Sequence, residues 1–464
     1  MERTLSPAAD NLGGEVRHDR RRRRTQQLRD PSPAPSGAGI MEPMPSRAVP
    51  LLSAPEGRDY VKLVLVLGSL IAIGPLTIDT YLPAFPAIEA DLLATEAQVQ
   101  LTLTGMLLGL SLGQLVNGPA SDALGRRRPL MMGLAVHVLA SVLCALAPSA
   151  GTLALARVLQ GVAGSAISVS CMAIVRDLFS GMGAAKLLSH LMLVNGVAPI
   201  LAPTLGGLIL QFTSWRGVFV VLGCIAAVQI AVAWFLLPET LPPSRRRSAR
   251  PGRILATYRH ILTDAEFILL VCTAGLMFAT MFSYISGASF VLQVTYGLSA
   301  QQFGIAFGVN ALGLILMTQL NPLLLRRFSP LRILSVGVGI AATAALVMLG
   351  IALAGGAGLM GVLGPLTVIV ASCGLCFPNA PALALTRHGE AAGSAAALLG
   401  AFQFGIGGLA APIVGFVPGE GAVPMAVVMA TTTCTAVALV LVIRGRRARH
   451  RAVARAGRER VATA

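Results

Sequence analysis

Two charged side chains, Asp79 and Arg157, lie inside long apolar stretches of the sequence. A charge in a hydrocarbon environment is costly, so residues of this kind usually have a function. Asp79 lies about 17 residues, or about 26 Å, into its stretch, and Arg157 lies about six residues into one that runs the opposite way. The two side chains are therefore predicted to lie at similar depth. An acidic group beside a cation at that depth is suited to binding and releasing a proton.

The stretches that hold these residues are long enough to cross a membrane as helices. Only 12% of the 464 residues are charged, whereas about 25% is usual in soluble proteins. About 20 apolar residues span the hydrocarbon core of a bilayer. Twelve such runs lie at 61–84, 98–118, 129–148, 152–175, 187–210, 216–237, 266–289, 301–325, 331–354, 359–382, 393–416 and 422–443. The runs do not alternate in polarity as membrane strands would, so an all-α integral membrane protein is predicted.

The net charge of +16 follows the predicted topology. All Lys and Arg residues except Arg157 and Arg216 fall in the two termini and in alternate connections between the runs. Basic residues accumulate on the cytoplasmic side of membrane proteins. We therefore predict a multi-pass protein of the bacterial inner membrane with both termini in the cytoplasm. The basic excess then serves topology, and nucleic acid is not an expected partner.

A long, arginine-rich connection after Pro238 divides the twelve runs into two sets of six. The predicted domains are a disordered basic arm (1–59), two six-helix bundles (60–238 and 266–443), a linker between them (239–265) and a basic tail (444–464). A faint internal repeat supports this division. Its members are Gln114, Leu115, Asn117, Arg126, Arg127 and Pro129 after the second run, and Gln319, Leu320, Asn321, Arg326, Arg327 and Pro330 after the eighth. Parallel repeats of six helices are typical of major facilitator transporters.

The most specific motif connects the second and third runs and reads Gly-Pro-Ala-Ser-Asp-Ala-Leu-Gly-Arg-Arg-Arg-Pro from Gly118. Asp122 ends one helix, and Gly125 permits a tight reversal of the chain. The segment resembles the signature loop of the major facilitator superfamily. The resemblance implies a gate at the cytoplasmic ends of the two bundles, with Asp122 acting through charge and helix-dipole contacts. The gating residues would be Gly118, Asp122, Gly125, Arg126 and Arg127; the alternative is an anchor that only fixes the topology.

Three further motifs resemble those of the bicyclomycin-resistance (Bcr/CflA) family of drug:proton antiporters. They are Thr-Ile-Asp-Thr-Tyr-Leu-Pro around Asp79, Arg-Val-Leu-Gln-Gly from Arg157, and Pro199, Pro203, Gly206 and Gly207 in the fifth run. Ala202 stands where the third pattern has glycine. The resemblance implies that Asp79 and Arg157 couple transport to protons. It also implies that the fifth run is the kinked, glycine-lined helix of antiporters.

Polar and aromatic residues within the runs are candidates for lining a substrate cavity. They are Tyr81, Gln160, Asn195, Tyr284, Asn310, Phe402 and Gln403. Few fixed polar groups favour large amphipathic molecules over sugars. We predict a monomeric, proton-coupled exporter of drug-like compounds in the lipid bilayer, without a cofactor or metal. The alternative is a proton-coupled importer or exporter of a small metabolite, and a membrane-embedded enzyme fits less well because only two charged groups converge.

Overall fold

A computed structural model describes residues 57–179, 181–246, 251–355, 358–388 and 391–463. The predicted N-terminal arm lies outside the described residues as far as residue 56. Of residues 450–463 in the predicted tail, only the backbone is described.

The described chain is built from α-helices joined by short connections. They are α1 (Gly57–Asp79), α2 (Phe85–Leu92), α3 (Glu96–Leu124), α4 (Arg127–Ala145), α5 (Ala150–Leu178), α6 (Gly181–Ile209), α7 (Trp215–Leu236), α8 (Pro251–Ile261), α9 (Ala265–Phe290), α10 (Ala300–Leu325), α11 (Pro330–Leu353), α12 (Gly358–Leu385), α13 (Ala392–Phe416) and α14 (Val423–Thr463). A 3-10 turn, Leu82–Ala84, joins α1 to α2, and a π-helical turn, Val291–Thr295, follows α9.

Most of these helices are membrane spans. Eleven described segments are long and apolar enough to cross a membrane, one of them running from α1 through α2, and the apolar part of α6 (Gly196–Ile209) adds to them. α8 lies within the predicted linker. The prediction of an all-α integral membrane protein with twelve spans is therefore confirmed.

Several helices begin where the sequence supplies a cap. Thr95, Ser149 and Ser299 each accept a hydrogen bond from the backbone N–H three residues later, and the side chain of that third residue accepts from the backbone N–H of the cap. Such capping boxes satisfy two amide groups that the first turn leaves free. They fix the beginnings of α3, α5 and α10.

The same helix pairs pack together in the two halves of the chain. α3 packs on α5 as α10 packs on α12, and α1 packs on α6 as α9 packs on α13. The repeat residues Asn117 and Asn321 have matching roles. Asn117 of α3 donates to Ser165 of α5 (2.6 Å), and Asn321 of α10 accepts from Asn379 of α12 (2.6 Å). The fold is thus two bundles of six spans, while the domain bounds given above stay a prediction.

The two halves meet along α3 with α13 and along α6 with α10. We call the end of the bundles that carries Arg126 the arginine-rich end, and the end that carries Glu96 the acidic end. Near the acidic end, Ser289 Oγ donates to the carbonyl oxygen of Leu82 (2.7 Å), and the Gly415 N–H donates to Gln100 Oε1 (2.9 Å). These bonds hold the two halves closed at the acidic end.

Candidate functional site

A cavity of about 640 Å³ lies between the two halves towards the arginine-rich end. α3 and α5 form one wall, which includes Gln114 and Ser168, and the first turn of α13 forms another with Ser394. Asp122 and Arg126 line the cavity where these helices end. Since the halves are closed at the acidic end, the cavity opens towards the arginine-rich end.

A tyrosine from the linker helix borders this cavity. Tyr258 of α8 donates a hydrogen bond from its hydroxyl to the carbonyl oxygen of Leu115 in α3 (3.2 Å). That carbonyl has no partner within its own helix, because the residue four positions later, Pro119, lacks an N–H group. Partial burial raises the pKa of Tyr258, so the hydroxyl stays protonated as a donor. Sequence inspection missed this contact, although a proline inside an apolar run marks the free carbonyl.

The residues predicted to line a substrate cavity lie elsewhere. Tyr81, Gln160, Tyr284 and Asn310 are buried between helices, whereas Phe402 and Gln403 are half-buried on α13. None of these six lines the cavity, and the side chain of Asn195 lies outside the described residues. Asn310 donates to the Tyr284 hydroxyl (3.1 Å) and accepts from Thr367 (2.6 Å). Their role in binding substrate stays a prediction for other conformations of the protein.

Arg157 is fully buried on the side of α5 that faces α1. Its Nη1 donates to the carbonyl oxygen of Thr77 (3.1 Å) and to Gln160 Oε1 (2.6 Å). Its guanidinium carbon lies 4.2 Å from the centre of the Tyr81 ring, a distance at which a cation and an aromatic face attract each other. Nε and Nη2 have no hydrogen-bond partner among the described residues. Arg157 therefore docks on the last turn of α1 with part of its bonding capacity unused.

Asp79 is the last residue of α1 and is 4% exposed. Its Oδ1 has no hydrogen-bond partner in the described chain. The Asp79–Arg157 ion pair expected from the matching depths is not formed in this conformation. The guanidinium instead contacts the Thr77 carbonyl two residues earlier and lies over Tyr81. Arg157 thus binds the turn of α1 that carries Asp79, and each of the two side chains has polar atoms without a hydrogen-bond partner in the described chain.

The predicted gating loop forms a compact charged cluster. Arg126 donates to Asp122 Oδ1 (2.5 Å) and to Asp177 Oδ2 (2.8 Å). The Glu239 carboxylate accepts from the backbone N–H groups of Arg126 (2.8 Å) and Arg127 (3.2 Å). Burial by itself lowers the pKa of Arg126, but the hydrogen bonds and charges of Asp177 and Asp122 outweigh it and leave the pKa above its usual value. The cluster joins the ends of α3, α5 and α7 within one bundle.

The two glycines of the loop differ in their surroundings. Gly125 has a φ of +91°, and a Cβ atom there would lie 2.4 Å from Glu239 Oε2. A side chain at this position would be strained and would displace the carboxylate that caps Arg126 and Arg127. Gly118 has free space around it and lines the cavity.

Comparison with known proteins agrees with this architecture. A family model described as the Major Facilitator Superfamily matches residues 66–412. The chain belongs to the major facilitator superfamily. Its superfamily membership makes it a transporter and a multi-pass membrane protein rather than an enzyme, as predicted from its sequence.

Relatives of this major facilitator include bacterial transporters. It is 38% identical over 395 residues to the MFS-type transporter YdgK of Bacillus subtilis, covering 82% of this chain and 95% of that protein. It is 30% identical over 368 residues to a bicyclomycin resistance protein homolog of Haemophilus influenzae, covering 78% of this chain and 91% of that protein. The crystal structure of a peptide transporter, POT, aligns with a TM-score of 0.69 at 14% identity over 86% of this chain and 96% of that chain. The predicted resemblance to drug:proton antiporters is confirmed, and the solved structure shows the fold.

One antiporter-motif residue of this facilitator, Gly206, lies against Thr80, the residue after Asp79. A Cβ atom on Gly206 would lie 1.9 Å from the carbonyl oxygen of Thr80, so α6 passes in direct contact with the end of α1. A Cβ atom on Gly207 would lie 3.0 Å from the carbonyl oxygen of Ala300 in the other bundle. Pro203 is buried and Pro199 half-buried within the same helix. The motif therefore lets α6 contact α1 and α10 at once.

A second charged cluster at the arginine-rich end was not predicted. Arg387 contacts Asp264 (2.7 Å) and Glu266 (3.2 Å), and Arg447 contacts Glu266 (2.6 Å). Burial by itself raises the pKa of Asp264, but hydrogen bonds from Arg387 and from two backbone N–H groups outweigh it and lower the pKa. The cluster joins α9, α12 and α14, whereas the Arg126 cluster joins α3, α5 and α7 in the other bundle.

Replacing Arg126 with alanine is expected to destabilise the facilitator by about 2 kcal/mol, because hydrogen bonds to charged groups are worth about 1.5–3 kcal/mol each. The substitution leaves Asp177 buried without its cation. Arg128 is exposed and serves as the matched control, so Arg128→Ala should leave stability unchanged. Unfolding in detergent micelles, followed by circular dichroism, measures both. Equal stability of the two variants would contradict a structural role for the cluster.

Proposed function

We propose that this facilitator exports drug-like amphipathic molecules in exchange for protons by alternating access. The observation that carries the proposal is the buried Asp79 carboxyl group, which has no ion pair in the described structure and lies two residues after the Thr77 carbonyl that binds Arg157. The name of the Haemophilus relative supports a drug as substrate. We further propose that the protein works as a monomer in the bacterial inner membrane.

Protonation of Asp79 supplies the coupling in this proposal. A buried carboxylate without a partner is costly, and binding a proton removes that cost. When the proton leaves, the free Nε and Nη2 atoms of Arg157 are available to pair with the carboxylate. One charge crossing 100 mV contributes about 2.3 kcal/mol, and one pH unit contributes about 1.4 kcal/mol. Moderate gradients therefore support large accumulation ratios.

The gate operates between Asp122 and the first turn of α13 in this proposal. Both line the cavity. Ala391 precedes the first residue of α13 and provides no side-chain cap in the described chain, unlike the cap residues of α3, α5 and α10. The free N–H groups of a helix beginning carry partial positive charge and attract a carboxylate. Closing the arginine-rich end would bring Asp122 to that site and shut the cavity.

The accumulation of basic residues places the arginine-rich end in the cytoplasm in this proposal. The structure then represents an inward-open state, in which a drug reaches the cavity from the cytoplasm or the inner leaflet. Closure of the gate and opening of the acidic end would release the drug outside. Protonation of Asp79 from that side would complete the exchange.

Everted membrane vesicles with an acidic interior test the proposal. A dye that reports the pH gradient is added first, and a panel of amphipathic drugs follows. Drug-dependent release of protons, absent from vesicles without the protein, is the expected result. Release triggered by a small metabolite and by none of the drugs would establish the metabolite transporter instead. If neither the drugs nor the metabolites cause proton release, in protein shown to be folded and inserted, proton-coupled transport would be overturned.

A further inference from the structure

A closed ring of buried hydrogen-bonding groups joins α1, α4 and α5 beside Arg157. Its members are Thr77, His137, Ser141, Arg157 and Gln160, each exposed by no more than 1%. Polar groups inside a membrane bundle are expensive and are retained where they have a function. The sequence pattern had indicated neither the ring nor the position of the imidazole within it.

The distances close the ring without a gap. Arg157 Nη1 donates to the Thr77 carbonyl oxygen (3.1 Å) and to Gln160 Oε1 (2.6 Å). Gln160 Nε2 donates to Ser141 Oγ (2.9 Å). The His137 ring completes the circuit, with Nδ1 lying 3.4 Å from Ser141 Oγ and Nε2 lying 3.0 Å from Thr77 Oγ1. The imidazole is therefore the element that ties α4 to the last turn of α1.

The positions of the hydrogens follow from the bonds that each hydroxyl already makes. Thr77 Oγ1 donates its single hydrogen to the carbonyl oxygen of Ile73 (2.6 Å), so it can only accept from His137. Ser141 Oγ accepts from Gln160 Nε2 (2.9 Å), so its own hydrogen is shared between the His137 carbonyl oxygen (2.8 Å) and Nδ1 (3.4 Å), and Nδ1 acts as an acceptor. His137 Nε2 must therefore carry a hydrogen. The neutral Nε2–H tautomer satisfies the contact with Thr77.

We infer that His137 is a positioning residue for the Asp79–Arg157 site. Its Nε2–H fixes the Thr77 side chain, and Thr77 presents the carbonyl on which Arg157 docks. Asp79 follows two residues later on the same turn. The inference rests on the proposed function, because it assigns His137 to the alignment of the proton-coupling groups. His137 itself touches neither drug nor the transported proton.

The substitution series separates positioning from bulk packing. In the everted-vesicle assay, His137→Leu should lower the maximal rate of drug-dependent proton release about tenfold, with the half-saturating drug concentration unchanged. His137→Gln, whose amide N–H can replace the Nε2–H group, should retain most of the rate. Thr77→Val should reproduce the His137→Leu defect, and Thr77→Ser should not. The double variant His137→Leu with Thr77→Val should release protons as fast as either single variant, because both substitutions remove the same His137–Thr77 hydrogen bond.

The opposite results are equally clear. Equal defects in His137→Gln and His137→Leu, a fully active Thr77→Val variant, or additive losses in the double variant would each overturn the inference. All variants are checked for folding by gel filtration in detergent. A wild-type protein that releases no protons with any drug would instead refute the proposed function.

A spectroscopic measurement tests the inference independently of transport. In protein labelled with ¹⁵N-histidine, the signal lost in His137→Gln belongs to His137. Its two ring nitrogen shifts should report the Nε2–H tautomer and should change in Thr77→Val but not in Thr77→Ser. An Nδ1–H tautomer, or a signal indifferent to Thr77→Val, would overturn the inference whatever the transport assay shows.

Discussion

Asp79→Asn is expected to abolish drug-dependent proton release while leaving the protein folded. The amide has nearly the shape of the carboxyl group but cannot bind or release a proton. The Asp79 side chain makes no hydrogen bond or ion pair in the described structure, so the substitution removes no stabilising side-chain contact in this conformation. Transport should fall to the level of vesicles that lack the protein. The same everted-vesicle assay measures it, with gel filtration to confirm the fold.

Asp91→Asn provides the matched control for this prediction. Asp91 lies at the acidic end, where it accepts hydrogen bonds from Arg216 (2.5 Å) and from the Trp215 indole (3.0 Å). Its carboxylate is half-exposed and forms a surface ion pair, an interaction that contributes little to stability. Transport should therefore persist in Asp91→Asn. Proton release that survives Asp79→Asn would leave the antiporter intact and remove Asp79 from its coupling role.

The spans could be predicted because the bilayer imposes a length and a composition on each of them. The same holds for the gating loop, since its arginines cannot cross the membrane and its glycine adopts a positive φ. Arg216 is an exception to the accumulation of basic residues on one side, and its contacts account for its position. Its guanidinium pairs with Asp91 and lies 4.2 Å from the centre of the Trp215 ring, at the acidic end.

The Asp79–Arg157 pair shows where the sequence stops being informative. Counting residues gives the depth of a side chain in the membrane, but each residue also turns a helix by about 100°. Two groups at one depth can therefore point to different neighbours. Arg157 turns towards Thr77 and the Tyr81 ring, contacts that depend on how α5 rotates against α1. Polar residues within spans bind one another for the same reason, which is why Asn310 and Tyr284 are buried in a network of their own.

The partners of Arg126 come from distant parts of the chain. Asp177 and Glu239 are 51 and 113 residues away in sequence, so only the fold brings them together. One signal was available. Both are acidic residues at the end of the protein where basic residues predominate, and every acidic side chain described at that end contacts an arginine or lysine side chain or a backbone N–H. An isolated acid on a basic face therefore predicts a contact with a basic side chain or with a backbone N–H group.

Gly161→Ala is expected to destabilise the protein by about 3 kcal/mol, the upper end of the usual range for overpacking. A Cβ atom on Gly161 of α5 would lie 2.0 Å from the carbonyl oxygen of Met106 and 2.8 Å from the backbone nitrogen of Leu110. Both atoms belong to the backbone of α3, which cannot move aside as a flexible side chain could. The reciprocal contact has the same character, since a Cβ atom on Gly109 would lie 2.1 Å from the carbonyl oxygen of Val158. The two helices must therefore separate.

Gly164→Ala is the matched control, three residues further along α5. The nearest atom to a Cβ there is Leu110 Cδ2 at 3.5 Å, an ordinary van der Waals distance. Both substitutions gain the same helix propensity, about 1 kcal/mol relative to glycine. The change in the free energy of unfolding should therefore differ in sign between the two variants. Gly164→Ala should be at least as stable as wild type, and Gly161→Ala should be much less stable. Unfolding of both variants and of the wild type in detergent micelles measures these stabilities.

Separation of α3 from α5 also has a consequence for transport. Gln160 and Arg157 lie on α5 within one turn before Gly161, so a shift of this helix moves the guanidinium away from the Thr77 carbonyl. Any folded Gly161→Ala protein should therefore be defective in proton release, whereas Gly164→Ala should transport normally. A stable and fully active Gly161→Ala variant would mean that α3 and α5 do not approach so closely in the membrane. The docking of Arg157 on α1 would then need another explanation.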